Sequence, residues 1–347
     1  MADYTKQVKA VLSANGCTFR RRGKGDHDIW YSPHTNNIVV VDSQIRKRHT
    51  ANGVLKQAGI KHKLWDNVFS HGGGIMTKCE KLSTNFAEVH VSDLRRDFPI
   101  LEFDADRDAF IRPDRIIEPI YISERAVICF FADANERFIS RHPHKIVAYM
   151  KPEGLTIPVY EVEYKGERVV LVQAIVGAPM AAGHIEELVA YGCRKFIACG
   201  GCGVLEKDIA VGHLIIPTTA IRDEGTSYHY APPSREIAMS EHAIQAIEST
   251  LAKENVPYVK AKTWTTDAFF RETNGKIQLR KEEGCLAVEM ETSAFIAVAK
   301  YNNVEFGQIL YAGDSLAGDS WDGRKWTERS DIRDSVLRMA FDSCLNL

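Results

Sequence analysis

Leu286-Ala287-Val288-Glu289-Met290-Glu291-Thr292-Ser293 is the stretch whose reading decides the fold of this chain. A short apolar run ends in two carboxylates on either side of a methionine, and a helical pattern starts at Thr292. Carboxylates at a buried strand end are costly unless something pairs with them. Two explanations stand at this point. The acids could favour the positive end of the following helix. Alternatively, they could grip sugar hydroxyls above a soft apolar thioether.

The surrounding pattern favours a layered α/β fold. Val127–Phe131, Val159–Tyr164, Arg168–Val176, Lys195–Cys199, Leu214–Thr218, Tyr258–Thr263, Ala287–Met290 and Phe306–Tyr311 read as strands. Met180–Tyr191, Glu241–Lys253, Thr292–Lys300 and Asp331–Leu345 read as helices between or after them. Lys165-Gly166 is a hairpin turn signal. Strands alternating with helices give a mixed or parallel sheet covered by helices, and such sheets hold ligands beyond their strand ends. The glycine run Gly200-Gly201-Cys202-Gly203 and the opening stretch both sit at such ends.

The first sixty residues differ in kind. Residues 1–64 hold twelve Lys/Arg against four Asp, a net charge of +8, whereas the remainder carries −10. This asymmetry indicates two modules, the first facing a polyanion. A helix over 3–14, three strands (Cys17–Arg22, Asp28–Ser32, Asn37–Asp42) and a helix over Thr50–Ala58 give the order αβββα. Residues 65–115 read as a linker and connector, and 116–347 as the larger domain. No apolar run of about 18 residues exists, so no transmembrane helix is expected. There is no apolar signal region at the start, and the eight cysteines are scattered, which points to reduced thiols and a cytoplasmic location.

Two resemblances sharpen this. Residues 3–64 resemble the HicA toxin family of messenger-RNA interferases. The likeness rests on the element order, on Gly25-Asp26-His27 entering the second strand, and on Leu55-Lys56-Gln57-Ala58-Gly59-Ile60. It implies a fold like a double-stranded-RNA-binding domain, with His27 as the catalytic base. It also implies that Arg20, Arg21, Arg22, Lys24, Arg46 and Arg48 meet phosphates, and that an antitoxin-like protein is a partner. A near-neutral imidazole suits removal of a 2′-hydroxyl proton. An ordinary strand-edge histidine and a solvated basic face are the plain alternatives.

The region 116–347 resembles the nucleoside phosphorylase/nucleosidase superfamily. The motifs occur in order: Ile175-Val176-Gly177-Ala178-Pro179, Phe196-Ile197-Ala198-Cys199-Gly200-Gly201-Cys202-Gly203, Ile221–Pro232, Asp267-Ala268-Phe269-Phe270, Val288-Glu289-Met290-Glu291 and Ala312-Gly313-Asp314-Ser315. The resemblance implies a phosphorylase-like α/β/α core with a mixed sheet around one nucleoside. Gly177 and Gly200 would line the sugar side, Phe269 would stack on the base, Met290 would pack beneath the ribose, and Glu291 would bind its hydroxyls with Glu289 beside it. Asp314 would protonate a purine leaving group, a step that an oxocarbenium-like path needs; a turn cap is its plain alternative.

The departures bear on the attacking group. Where phosphorylases place phosphate-binding arginines, this chain has Ala198 and Glu136, with Arg137 one position on. Phosphate needs charge-assisted donors, so water is the expected acceptor, Glu136 its general base, and phosphate the alternative co-substrate. A nucleotide-sensing module without turnover is the reading from another class. Cys199-Gly-Gly-Cys202 lacks two further ligands, so no metal or other cofactor is expected. The resemblance also implies a homo-oligomer.

Overall fold

The computed structural model describes residues 4–23, 27–60 and 94–347. It divides into two units, Met1–Asn85 and Phe86–Leu347. The glycines Gly25 and Gly72–Gly74, and Met76, lie outside the described residues.

In the small unit, helix α1 (Thr5–Ala14) is followed by strands β1 (Thr18–Arg22), β2 (His27–Ser32) and β3 (Asn37–Asp42), then helix α2 (Arg48–Gln57). The strands form one antiparallel sheet in the order β1-β2-β3, with His27 opposite Asp42. Strand alternation turns Val39 and Val41 inward. They pack with Trp30, Val8, Leu12 and Leu55 in a separate apolar core. Gly59 ends α2 at φ +75°, where a Cβ would lie 2.7 Å from Thr35 Cγ2, so only glycine fits. The expected αβββα order is found.

The large unit runs β4 (Arg125–Cys129), α3 (Ala132–Arg141), β5 (His144–Met150), β6 (Ile157–Tyr164), β7 (Glu167–Gln173), α4 (Ala178–Tyr191) and β8 (Lys195–Val204). It continues with β9 (Leu214–Asp223), β10 (Glu236–Ala238), α5 (Glu241–Lys253), β11 (Tyr258–Thr266), α6 (Asn274–Glu282) and β12 (Cys285–Glu289). Helix α7 (Thr292–Asn302), strand β13 (Glu305–Ser315) and helix α8 (Ser330–Asn346) complete it. Lys165 and Gly166 both take positive φ and make the expected hairpin between β6 and β7.

The mixed sheet runs β10-β9-β11-β12-β8-β4-β7-β6-β5, and β13 joins both β8 and β9. That extra pairing closes β8, β12, β11, β9 and β13 into a ring. Helices α4 and α7 pack on each other, while α8 packs on α3, α5 and strands β4 and β8. Every residue of α7 from Thr292 to Ala299 is buried, which explains why no charged side chain occurs there and why apolar residues run all round it after Thr292 and Ser293.

Two expectations are corrected. The glycine run is no loop: β8 continues straight through Gly200–Gly203. A Cβ on Gly200 would lie 3.0 Å from the Phe130 ring, so the bare backbone here allows the close approach of that phenylalanine. Residues 94–115, expected as connector, lie against the large unit: Arg107 stacks over Tyr301 and Ile100 sits beside Gly225. Cys199 and Cys202 are three apart on one strand and join different apolar clusters, so the CxxC spacing pairs nothing.

His184 on α4 is buried, and among the described residues neither ring nitrogen has a hydrogen-bond partner. Burial drives its pKa down to about 4. The folded protein therefore resists a proton that the unfolded chain accepts, and stability falls as pH drops from the ordinary histidine range toward 4. Replacing it with leucine should recover up to about 3 kcal/mol at the acid end and little at pH 8, in denaturant titrations across pH.

Candidate active sites

In the large unit the opening stretch resolves into two different carboxylates. Strand β12 ends at Glu289 and α7 begins at Thr292, so both acids occupy the strand-to-helix turn. Glu289 Oε1 accepts the hydroxyls of Thr265 at 2.6 Å and Thr263 at 3.2 Å. Its Oε2 accepts the backbone N–H of Glu291 at 2.7 Å and of Thr292 at 2.6 Å. Burial raises its pKa, against the pull of these donors. The expected sugar contact at Glu289 is corrected: its oxygens are taken up by protein donors, two of them at the start of α7.

Glu291 is differently placed. It too is buried, and its Oε1 accepts the Gly177 N–H at 2.7 Å. Burial pushes its pKa up to about 8, with the Glu289 charge adding to the effect and the Gly177 N–H opposing it. Gly177 has φ +112° at the N-cap of α4, a conformation that a side chain would strain. The structure thus brings together Gly177 and Glu291, which are 114 positions apart in sequence. Met290 lies between the two acids, half-buried.

The neighbouring strand ends supply the other groups. Asp267 follows β11 and accepts the Gly225 N–H at 2.8 Å. Phe269 beyond it is half exposed, its ring centroid 4.0 Å from that of Phe270. Asp314 is in the last turn of β13, half-buried, and its Oδ2 accepts the Trp321 indole N–H at 2.7 Å. It does not cap a helix. A Cβ on Gly203 would lie 2.7 Å from Leu316 Cδ1 and 3.0 Å from Val288 Cγ1, so this glycine lets those side chains pack close to the strand next to Asp314.

Glu136 is corrected as the base. It is exposed on α3, whereas Ala134, Asn135 and Phe138 face inward. The adjacent Arg137 binds Asp334 at 2.6 Å and Asp133 at 2.9 Å, and Arg333 also reaches Asp133 at 3.1 Å. These pairs offset both cations. Arg222, buried beneath the Ile221–Pro232 motif, is spent on Ser227, Ser234 and the carbonyls of Ala231 and Pro232.

Three residues were missed in sequence. Glu224 is buried and accepts the Ser293 hydroxyl at 2.9 Å, fastening the motif to α7. Trp321 holds Asp314. Glu272, three positions after Phe269, is half-buried, and burial with the Asp314 charge pushes its pKa up to about 7. Its closeness to Phe269 in sequence was the one available signal. A cavity of about 260 Å³ lies elsewhere, between α3 and α8, and none of these groups lines it. Among the described residues no group of three His, Cys, Asp or Glu side chains is arranged for a metal ion.

In the small unit, His27 Nδ1 lies 2.7 Å from Asp42 Oδ1, both side chains about half exposed. This orients the ring and turns Nε2 away from the pair. Arg20, Arg21 and Arg22 are exposed on β1, with Arg20 over the Tyr31 ring. Arg46 is exposed and bonds Gln44. None of these four is paired with a carboxylate among the described residues. Lys24 and the Arg48 side chain lie outside them.

A family model described as the phosphorylase superfamily matches residues 124–340, and one described as the HicA toxin of bacterial toxin-antitoxin systems matches residues 5–60. The chain belongs to the phosphorylase superfamily and carries a HicA toxin domain ahead of it. A guanosine phosphorylase of Halorubrum lacusprofundi is 27% identical over 151 residues, which is 44% of this chain and 63% of the relative's length. A DeoD-type purine nucleoside phosphorylase of Bacillus cereus is 27% identical over 52% of this chain and 77% of its own. The fold is that of a uridine phosphorylase from Vibrio fischeri, with TM-score 0.57, 20% identity and coverage of 69% of this chain and all of that one. It is also that of an AMP nucleosidase from Bacteroides thetaiotaomicron, with TM-score 0.52, 23% identity and coverage of 64% and 87%. No helix among the described residues is long and apolar enough to cross a membrane.

Proposed function

We propose that residues 116–347 break the N-glycosidic bond of a purine-type nucleoside or nucleotide, with water as acceptor. The observation that carries this is the buried Glu291 carboxyl fastened to Gly177, with Asp314 near the end of β13, which pairs with β8 as β12 does. Glu291 takes the ribose hydroxyls, Met290 packs under the sugar and Phe269 covers the base. Asp314 stands on the side of the leaving group. The names of the relatives, guanosine and purine nucleoside phosphorylases, support a purine leaving group.

Water is favoured because the arginines near the start of α3 are offset by Asp133 and Asp334, and Arg222 is spent on its own loop. An anion there would have to displace those partners. Phosphate as co-substrate is the second reading, and the relatives' names favour it. The test is release of free base from a panel of nucleosides and 5′-nucleotides, with and without phosphate. Release without phosphate is expected. Strict phosphate dependence would overturn water as acceptor. Binding without any release would favour a sensing module.

For residues 1–64 we propose RNA binding and cleavage, with His27 as base and Asp42 orienting it. The unpaired arginines on β1 supply phosphate contacts with little sequence reading. His27→Ala should lower RNA cleavage by about 100-fold or more while sparing RNA affinity in gel-shift titrations. Asp42→Asn should lower cleavage less. Unchanged cleavage in His27→Ala would remove this histidine from the mechanism. A cytoplasmic homo-oligomer with an antitoxin-like partner completes the proposal.

A further inference from the structure

Trp321 is an unusual surface residue. It is 66% exposed, so burial does not hold it in place. Two contacts do. Its Nε1–H donates to Asp314 Oδ2 at 2.7 Å. Its ring lies on Gly323, where a Cβ would come within 2.8 Å of the ring carbon Cη2. The backbone around these contacts is equally fixed. Ser315 and Asp322 exchange two backbone hydrogen bonds, at 2.8 and 3.0 Å. Arg324 Nη2 donates to the Asp314 carbonyl at 2.9 Å, and its Nη1 to the Ile209 carbonyl at 2.8 Å. Arg324 and Lys325 both hold positive φ, at +44° and +51°, a strain that persists only where the surroundings over-determine it. Residues 315–325 thus form a bracket with Asp314 at its base.

An indole N–H donates and cannot accept. The Asp314 oxygen that faces it is therefore an acceptor, whichever form the carboxyl takes. A protonated carboxyl has one accepting oxygen and one O–H. With Oδ2 taken by Trp321, the proton belongs on Oδ1, which receives no hydrogen bond among the described residues. Without the indole the carboxyl would turn about its Cβ–Cγ bond, a torsion with broad, two-fold preferences, and present either oxygen.

We propose that Trp321 is the positioning residue of the leaving-group acid, holding Asp314 so that Oδ1 is the oxygen that meets the departing base. The inference rests on the reading of the large unit as an N-glycosidic enzyme with Asp314 on the leaving-group side. As the C1′–N bond breaks, its electron pair stays on the base and the Oδ1 proton passes to a base nitrogen. Water bonds to C1′ and gives up one proton to solvent. A solvent proton returns to Oδ1. The sum is nucleoside and water to ribose and free base. Trp321 touches no reacting atom and exchanges no proton; it acts through the orientation of Asp314.

The test uses the full-length protein and the purine nucleoside or 5′-nucleotide that it cleaves fastest. Trp321→Phe keeps a ring near Gly323 and removes the N–H. It should lower kcat by about 10- to 100-fold, the effect of losing one hydrogen bond to a charged group, with KM within about threefold. Gly323→Ala keeps the N–H but pushes the indole off its glycine. It should lower kcat in the same direction and add less than about threefold to Trp321→Phe. In Asp314→Asn the amide oxygen can still accept the indole N–H, but no carboxyl proton is left to place. There Trp321→Phe should change kcat by less than about threefold. Losses that multiply in that double variant, a raised KM without a fall in kcat, or no loss at all would overturn the positioning role. Should Trp321→Phe fail to fold, Gly323→Ala decides: a lower kcat that vanishes as an effect in the Asp314→Asn background supports the role, and any other result overturns it. Wild-type protein inactive on every nucleoside and nucleotide would overturn the enzyme reading itself, and the role of Trp321 with it. An active wild type with an equally active Trp321→Phe overturns the role alone.

Discussion

Glu291→Gln is expected to melt at a higher temperature than the parent above pH 8 and to lose nucleoside cleavage. The stability half follows from linkage. In the unfolded chain a glutamate loses its proton near the ordinary carboxylate value. In the folded protein burial and the Glu289 charge hold the Glu291 proton up to about 8. The folded state therefore binds more protons between those limits, and its stability declines as pH rises through them. Above pH 8 the full penalty of an ionised buried carboxylate applies, up to about 5 kcal/mol. Glutamine removes the charge, and its carbonyl can still accept the Gly177 N–H. Differential scanning calorimetry at pH 5 and pH 9 checks this, with a gain expected only at the higher value.

The activity half follows from what the amide lacks. Above pH 8, where Glu291 is ionised, two ribose hydroxyls donating to its carboxylate make charge-assisted bonds, each worth about 1.5–3 kcal/mol. Loss of most of that lowers kcat/KM by about 100- to 1,000-fold. A variant more stable and less active marks a site where function is kept at a cost in stability. A variant with unchanged kcat/KM would remove Glu291 from the ribose site.

Much of this was legible in the sequence because the relevant signals are local. The apolar run before Glu289, the small-residue helix after it and the Lys165-Gly166 turn each fold as their own chemistry demands. Strand β5 was not legible. His144–Met150 is largely exposed at the sheet edge, so it lacks the alternation that marks a half-buried strand. The glycines of β8 misled for a related reason. A glycine run suggests a loop, but here the bareness of Gly200 makes room for Phe130, a neighbour brought in from β4.

The site residues divide along the same line. Gly177, Glu291, Phe269 and Asp314 lie at or just beyond strand or helix ends, where an α/β pattern leads one to look for ligand-facing residues, and Gly177 and Glu291 meet there. Glu136 failed because successive helix residues turn by about 100°, so an error of one position moves a side chain from the inner to the outer face. Asn135 faces in and Glu136 faces out. What Arg137 does depends on Asp334, 197 positions away, and no spacing rule reaches that far. The raised pKa of Glu272 comes from burial and the Asp314 charge, which are properties of the folded chain alone.

Glu289 separates a structural carboxylate from a binding one. Glu289→Ala should cost at least about 3 kcal/mol, because it strips acceptors from two buried threonine hydroxyls and two backbone N–H groups at the start of α7. Thr265 keeps one bond, from the Ser293 N–H, so the loss falls hardest on the two backbone donors. Glu289→Gln should behave quite differently. Its carbonyl can face the backbone donors while its amide donates to the rotatable hydroxyls, so urea titration should place it within about 1 kcal/mol of the parent. The same change removes a negative charge that raises the Glu291 pKa. Glu291 should then ionise at lower pH, and the pH below which ribose binding weakens should move down, read from KM against pH. Glu289→Ala folding as well as the parent would deny the carboxylate its structural role. An unshifted profile in Glu289→Gln would show that the two acids, two positions apart in the same turn, do not feel each other.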